Sequence, residues 1–343
     1  MPEITVAITT YNLEKYLESC FEELMSQTFQ DFEILVYDDC STDRTRDILA
    51  VQKKKLGGKL QVILGEIPQK RPSKARNAIL DSGRITGKYV IFLDGDDGIE
   101  PGLLEHLYAA AEKSGADLAL CAYDRLEDGT GRVLCREMRG YPGEILLGAQ
   151  DSPSLAFINT SLWNKLIRTD RIGALRMPNF SVGEDASFLQ EIYRRSKKIA
   201  CVDQILVHYR VRSASVISNT PEDSIYCFAR ELHQLWQSTE DDWMKDNIAL
   251  TALIHVGVSM PLRAYGNSQI NIPKLLRWVR DYLGRDFHWF RGNRYLKFAC
   301  LLRRGTKGLG IGCALICYKI HCFYLFLLAY KALTKVFGID IKF

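Results

Sequence analysis

The segment Tyr89-Val90-Ile91-Phe92-Leu93 is wholly apolar and runs directly into Asp94-Gly95-Asp96-Asp97-Gly98. A strand without a polar face is buried on both sides, which calls for a sheet covered by helices. Such strands end at the rim of the sheet, and in open α/β sheets the carboxyl rim is where ligands bind. Carboxylates crowded there repel one another unless a cation shares their charge. The simplest reading is a divalent metal at the sheet edge, with phosphates of a bound molecule completing its shell. A solvated acidic turn competes with it, although such a turn does not usually end an apolar strand. An EF-hand loop needs a cation-binding residue fifth and glycine sixth, where this chain has Gly98 and Ile99, and a helix upstream. A phosphatase with an aspartate nucleophile also places DxD after a strand, but with Thr or Val where Gly98 stands.

The N-terminal third repeats the strand-to-polar-exit pattern. Ile4–Thr9 reads as a buried strand with the turn Thr10-Tyr11-Asn12, and Leu13, Leu17, Phe21 and Leu24 then recur at helical spacing. Phe32–Tyr37 is a second strand, leaving through Asp38-Asp39-Cys40-Ser41-Thr42-Asp43, with Ser41 or Thr42 as the expected cap of the next helix. Leu60–Leu64 and Tyr89–Leu93 continue an alternation that predicts a parallel, doubly wound sheet.

Four segments carry a family resemblance. Val6–Asn12, Val36–Asp43, Ala75-Arg76-Asn77 and Leu93–Asp97, in this order and covering about the first 125 residues, resemble the successive signatures of family 2 glycosyltransferases. The resemblance implies a GT-A fold (Rossmann-like, mostly parallel and doubly wound), a nucleotide-sugar donor, a divalent metal (Mn²⁺ or Mg²⁺) and inversion at the anomeric carbon. It places Thr9, Tyr11 and Asp39 around the nucleoside, where a uracil ring would need the hydrogen-bonding edge partner and flat contact that Asp39 and Tyr11 could supply. It sets Asn12 on the donor as well, Asp94 near the ribose and Asp96 on the metal. Arg76 is expected to pair with the nucleotide or with Asp94.

The acceptor side is expected in the middle of the chain. Inverting transfer needs a base to take the proton of the attacking hydroxyl. Gly183-Glu184-Asp185 opens a helix with Phe188, Leu189 and Ile192 on one face, where carboxylates also complement the helix dipole. By resemblance Asp185 is the base and Glu184 binds or supports the acceptor. Leu162-Trp163-Asn164-Lys165-Leu166 is similar to a WNK-type segment of bacterial polysaccharide transferases, which implies acceptor binding by Trp163, Asn164 and Lys165; a buried indole competes with a sugar platform. By resemblance to similar enzymes, Leu206–Ser215 closes over the donor diphosphate with Arg210 and Arg212, whose guanidinium forks suit phosphate. His208 is a second candidate metal ligand, against a structural role.

Charge divides the chain. Pro273–Phe343 holds 14 Lys/Arg and 3 Asp/Glu, whereas the remainder holds 31 and 38, within an overall net charge of +4. A basic, apolar and aromatic tail points to an anionic membrane surface rather than nucleic acid. Gly308–Tyr318 and Ile320–Tyr330 are uncharged apart from the intervening Lys319. A span needs roughly 20 residues and would carry Lys319 near mid-membrane at roughly 2.5–3.5 kcal/mol. An interfacial helix is therefore expected ahead of a buried helix or a span. The glycines of Gly308–Gly312 lack the βαβ context of a dinucleotide loop. Ten scattered cysteines and no signal peptide point to reduced thiols in the cytosol.

The expected organisation is a catalytic domain over 1–215 (nucleotide-sugar side 1–125, acceptor side 126–215), a helical module over 216–300 and a membrane-associating tail over 301–343. The expected function is metal-dependent, inverting transfer from a UDP-sugar to a glycan or lipid-linked glycan, on the cytoplasmic face of the membrane. Lys274–Trp278 has Lys where processive synthases carry the Gln of QxxRW, which points to transfer of one sugar. The alternatives are a sugar-nucleotide-binding subunit without turnover and a sugar nucleotidyltransferase. The latter would show a glycine-rich loop where Ile4–Asn12 has no glycine.

Overall fold

Four apolar runs build the parallel half of one sheet: β1 (Ile4–Thr10), β2 (Phe32–Asp38), β3 (Leu60–Leu64) and β4 (Tyr89–Asp94), in the order β3-β2-β1-β4. A computed structural model of the chain describes residues 1–69, 71–149, 152–212, 221–265 and 267–337. They fall into two units: Met1–Pro153 with Asn159–Asn179 and Glu184–Ala214, and Ser154–Ile158 with Phe180–Gly183 and Ser215–Phe343.

In the first unit, helices α1 (Leu17–Met25), α2 (Thr45–Leu56), α3 (Pro72–Asp81) and α4 (Leu103–Ser114) alternate with these strands. Ile4, Ile8, Ile34, Val36, Val90 and Ile91 are wholly buried, as strands apolar on both faces require. The sheet continues through β5 (Gly98–Ile99), β6 (Leu118–Glu127), β7 (Val133–Glu137), β8 (Glu144–Leu146), β9 (Lys165–Arg168) and β10 (Lys198–Val211). Here the expectation of a mostly parallel sheet is corrected. β9 lies antiparallel between β4 and β6, and β5, β7 and β8 pair antiparallel as well, so the sheet is mixed. Only β6 and β10 add a parallel ladder beyond β4. Two helices complete the unit, α5 (Thr169–Ile172) and α6 (Glu184–Arg195).

Helix starts differ from the apolar periodicity. α1 begins at Leu17, with Leu13 buried in the loop ahead of it. α2 begins at Thr45, whose N–H bonds the Asp43 carboxylate (3.0 Å), so neither Ser41 nor Thr42 caps it.

The second unit is helical: α7 (Glu222–Ser238), α8 (Asp242–Ala252), continued by a wider turn over Leu253–Ser259 into α9 (Met260–Ala264), α10 (Ile272–Asp286), α11 (Phe298–Arg303), α12 (Gly305–Lys319) and α13 (Phe323–Phe337). α12 seats its inner face with Ile311 and Tyr318, whose hydroxyl donates to the Gly257 carbonyl (2.7 Å). Side chains at Gly308 and Gly312 would collide with Leu301 of α11, so these glycines serve helix contact. Among the described residues no helix is long and apolar enough to cross a membrane. All ten cysteines are free thiols. Ser213–Ser215, and most of the expected boundary near Ser213–Pro221, lie outside the described residues.

Candidate active site

Register fixes the rim. Thr10 pairs with Asp38 and Thr9 with Asp94, so the exits of β1, β2 and β4 are level. Beyond β1, Asn12 takes a left-handed conformation (φ 52°), and its Oδ1 accepts from the Thr42 N–H at 2.8 Å. Asn12 is thus engaged in joining two strand exits. Tyr11 beside it is 57% exposed, leaving its ring free for a flat ligand. Asp39 is buried and accepts from the Gln69 N–H (2.6 Å). Thr9 is half-buried at the same rim.

The exit of β4 has fewer internal partners. Asp96 is largely desolvated and faces Asp94, and both effects push its carboxyl above the usual range against the pull of Arg212. It forms an ion pair with Arg212 (2.5 Å). Asp97 is pushed up further by burial and by the charges of Asp94 and Asp96. Its Oδ1 accepts from the Arg210 N–H (2.9 Å), but its Oδ2 is buried with no partner. A desolvated carboxylate pair with an orphaned oxygen is a place for a cation. Among the described residues no group of three or more His, Cys, Asp or Glu could hold a metal alone. The donor set fits a cation completed by a ligand's own oxygens.

Arg76 links this rim to the start of α6. From α3 its guanidinium donates to Asp94 and to Asp185, each at 2.8 Å. Burial alone would weaken its charge, but the two carboxylates outweigh that and hold it fully charged. Asp185 and Glu184 stand in the first turn of α6. Burial raises the Asp185 carboxyl while Arg76 opposes the rise. Glu184, buried and beside Asp185, is pushed up to about 7. A carboxylate fixed by one guanidinium and poised above its ordinary value is suited to accept a proton.

Other expected residues are placed differently. Trp163 is buried, stacked on Tyr209 and edge-on to Tyr123, with centroids 5.6 and 4.6 Å away. Asn164 and Lys165 are fully buried. The Lys165 ammonium donates to Asn159 Oδ1, the Ser161 carbonyl and Asn164 Oδ1 at 2.7–2.8 Å, and burial lowers it to about 7. Direct acceptor contact by these three is corrected: Trp163 is 4% exposed and Asn164 and Lys165 are wholly buried, while the charge of Lys165 bears on Asp185. His208 is corrected as a metal ligand, because both ring nitrogens are engaged, with Asp124 (2.7 Å) and Glu100 (2.9 Å).

Sequence reasoning missed Tyr16. Its hydroxyl donates to Asp128 (2.9 Å), and the guanidiniums of Arg210 and Arg212 lie 5.9 and 5.8 Å from its ring. The ring holds both arginines beside the β4 exit. Nothing in the local pattern signals this, since Asp128 is 112 residues away.

Comparison with known proteins supplies the context. Residues 5–171 match the family model described as glycosyl transferase family 2. The glycosyltransferase GlyA of Streptococcus pneumoniae serotype 4 is 28% identical over 273 residues, 77% of this chain and 36% of GlyA. TuaG of Bacillus subtilis, a glycosyltransferase named for teichuronic acid biosynthesis, is 30% identical over 223 residues, 64% of this chain and 82% of TuaG. The chain therefore spans about a third of the first relative and most of the second. Among solved structures, S. aureus TarS 1-349 in complex with UDP-GlcNAc has the same fold, with a TM-score of 0.69 at 22% identity over 93% of this chain and 92% of that one.

Proposed function

The chain belongs to glycosyl transferase family 2, and from that membership we propose that it transfers a sugar from a UDP-sugar to a hydroxyl of a glycan or lipid-linked glycan, with inversion. The carrying observation is the Arg76 bridge, which sets a donor-rim carboxylate, Asp94, and a poised base, Asp185, on one guanidinium.

Tyr11 would stack on the uracil, Asp39 and Thr9 would border the nucleoside, and Asp94 would meet the ribose. Asp96, with the free oxygen of Asp97, would hold Mn²⁺ or Mg²⁺ against the diphosphate. When bound, such an ion neutralises charge on the departing diphosphate. Arg212, 41% exposed, can exchange Asp96 for phosphate, and Arg210 would add a second cation. Asp185, steadied by Arg76, would take the acceptor's proton as the hydroxyl attacks the anomeric carbon from the face opposite the leaving group.

The complex of TarS with UDP-GlcNAc and the naming of TuaG for teichuronic acid synthesis support a UDP-sugar and a surface polysaccharide. We place the reaction on the cytoplasmic face of the membrane. Family membership weighs against a nucleotidyltransferase. Incubation of the protein with a panel of nucleotide sugars and Mn²⁺ or Mg²⁺ tests the rest. Slow release of UDP from one donor, abolished by chelator, is expected. Tight donor binding with no release under any condition would leave a binding subunit and sink the proposal.

A further inference from the structure

A surface helix of a water-soluble unit is apolar inward and polar outward. α10 obeys this: Leu275, Val279 and Leu283 are buried, while Lys274, Arg277 and Arg285 stand outside. α12 and α13 do not. Their inner faces are already filled by Ile311, Tyr318, Phe323 and Leu327, all under 4% exposed. Yet Leu309, Ile316, Ile320, Tyr324, Leu325 and Leu328 on and between these helices are between 39% and 64% exposed. Leu309, Cys313, Ile316 and Ile320 recur at steps of four, three and four, which makes one outward stripe.

Charge says what covers it. Between Asp286 and Asp340 the chain carries nine Lys/Arg and no acidic residue. A protein partner would have to match an apolar stripe within a net-positive stretch of chain, and a second copy would bring the same positive charge against it. An anionic bilayer surface satisfies both features, since acyl chains accept the apolar side chains and headgroups accept the cations. Among the described residues no helix is long and apolar enough to cross, so the stripe is matched to the surface of a bilayer rather than to its core.

We infer that the outer face of α12 and α13 is a docking surface for anionic lipid headgroups and the acyl layer beneath them. The inference does not rest on the catalytic reading, because none of these residues belongs to the β4 rim. Flotation of the full chain with phosphatidylcholine vesicles, with and without phosphatidylglycerol, tests it. The protein should float with the anionic vesicles, less with the neutral ones and less again at high salt. The variant carrying Ile316→Glu and Leu325→Glu should lose at least ~100-fold in partition while keeping the parent's circular dichroism and UDP release. Leu309→Ser with Ile320→Ser is the milder pair should the first fail to fold. The inference is overturned if the parent floats with neither vesicle, or if a folded variant floats as well as the parent. Concentration-dependent dimers in lipid-free buffer that the same variant dissolves, without flotation of the parent, would overturn it in favour of a second copy.

Discussion

Two acidic strand exits flank β1 on one sheet, and they are built for opposite purposes. At the end of β2, Asp38 is fully buried and accepts from Thr10 Oγ1, the Ser41 N–H and hydroxyl, and Arg46 Nε, all within 3.1 Å. Each carboxylate oxygen is occupied, and one cation balances the charge. At the end of β4, Asp96 pairs with the part-exposed Arg212, Asp97 keeps an orphaned oxygen, and both carboxyls are raised by burial and by their neighbours. A satisfied buried carboxylate holds the fold together, whereas an unsatisfied one stores affinity for something not yet bound. Residue type and position along a strand are shared; the number of donors aimed at each oxygen separates the two.

The strongest way to break this contrast is at the proposed base, Asp185, which Arg76 ties to the unsatisfied rim. Asp185→Asn should cut transfer by about 10²–10⁴-fold and leave donor affinity within a few-fold. A pH-rate profile of the parent should fall on the acid side, because Asp185 is held above its ordinary range. Near-normal turnover of the variant would place the base elsewhere. At the β4 exit, Asp96→Ala should abolish metal-dependent donor binding by calorimetry without lowering the melting temperature, since it relieves repulsion with Asp94. Unchanged affinity would remove Asp96 from the metal.

The β2 exit should respond in the other currency. Asp38→Asn leaves Arg46 facing a neutral amide and turns acceptor positions into donors, at a cost of about 3 kcal/mol of stability. Denaturant titration should show that loss while the folded fraction turns over donor normally. An unshifted midpoint would mean that counting donors does not separate structural from functional carboxylates.

The legibility of the molecule follows the range of its interactions. β1 to β4 were readable within a residue because each is a mainly apolar run closed by polar residues, a purely local signal. The rim could be inferred from the same runs, since parallel strands place their exits together. β9 could not, because its insertion between β4 and β6 depends on pairing across more than forty residues, as Leu120 with Lys165. The burial of Trp163 and Lys165 follows from that insertion, so a motif that reads as an exposed sugar platform became core. His208 is similar: its partners Glu100 and Asp124 are 108 and 84 residues distant, and nothing beside it in the chain reveals that both nitrogens are taken.

The finest test concerns Glu184, which sits between the two classes: buried like Asp38, yet raised like Asp96. Its carboxyl moves from an ordinary 4.5 up to about 7 on folding, first through burial and then through Asp185. The folded chain therefore holds that proton more firmly than the unfolded chain, and stability must fall as pH rises from about 4.5 to 7 and stay reduced above it. Lys165 has the opposite sign: lowered from 10.5 to about 7, it returns stability as pH climbs from about 7 towards 10.5. Lys165→Met would strand three acceptors, so Glu184→Gln is the cleaner probe. It should be more stable than the parent at pH 8 by on the order of 1–2 kcal/mol, with the difference vanishing near pH 5. Thermal melts at the two pH values measure this directly. A difference that is the same at both would mean Glu184 is charged in the folded protein throughout, and belongs with Asp38 after all.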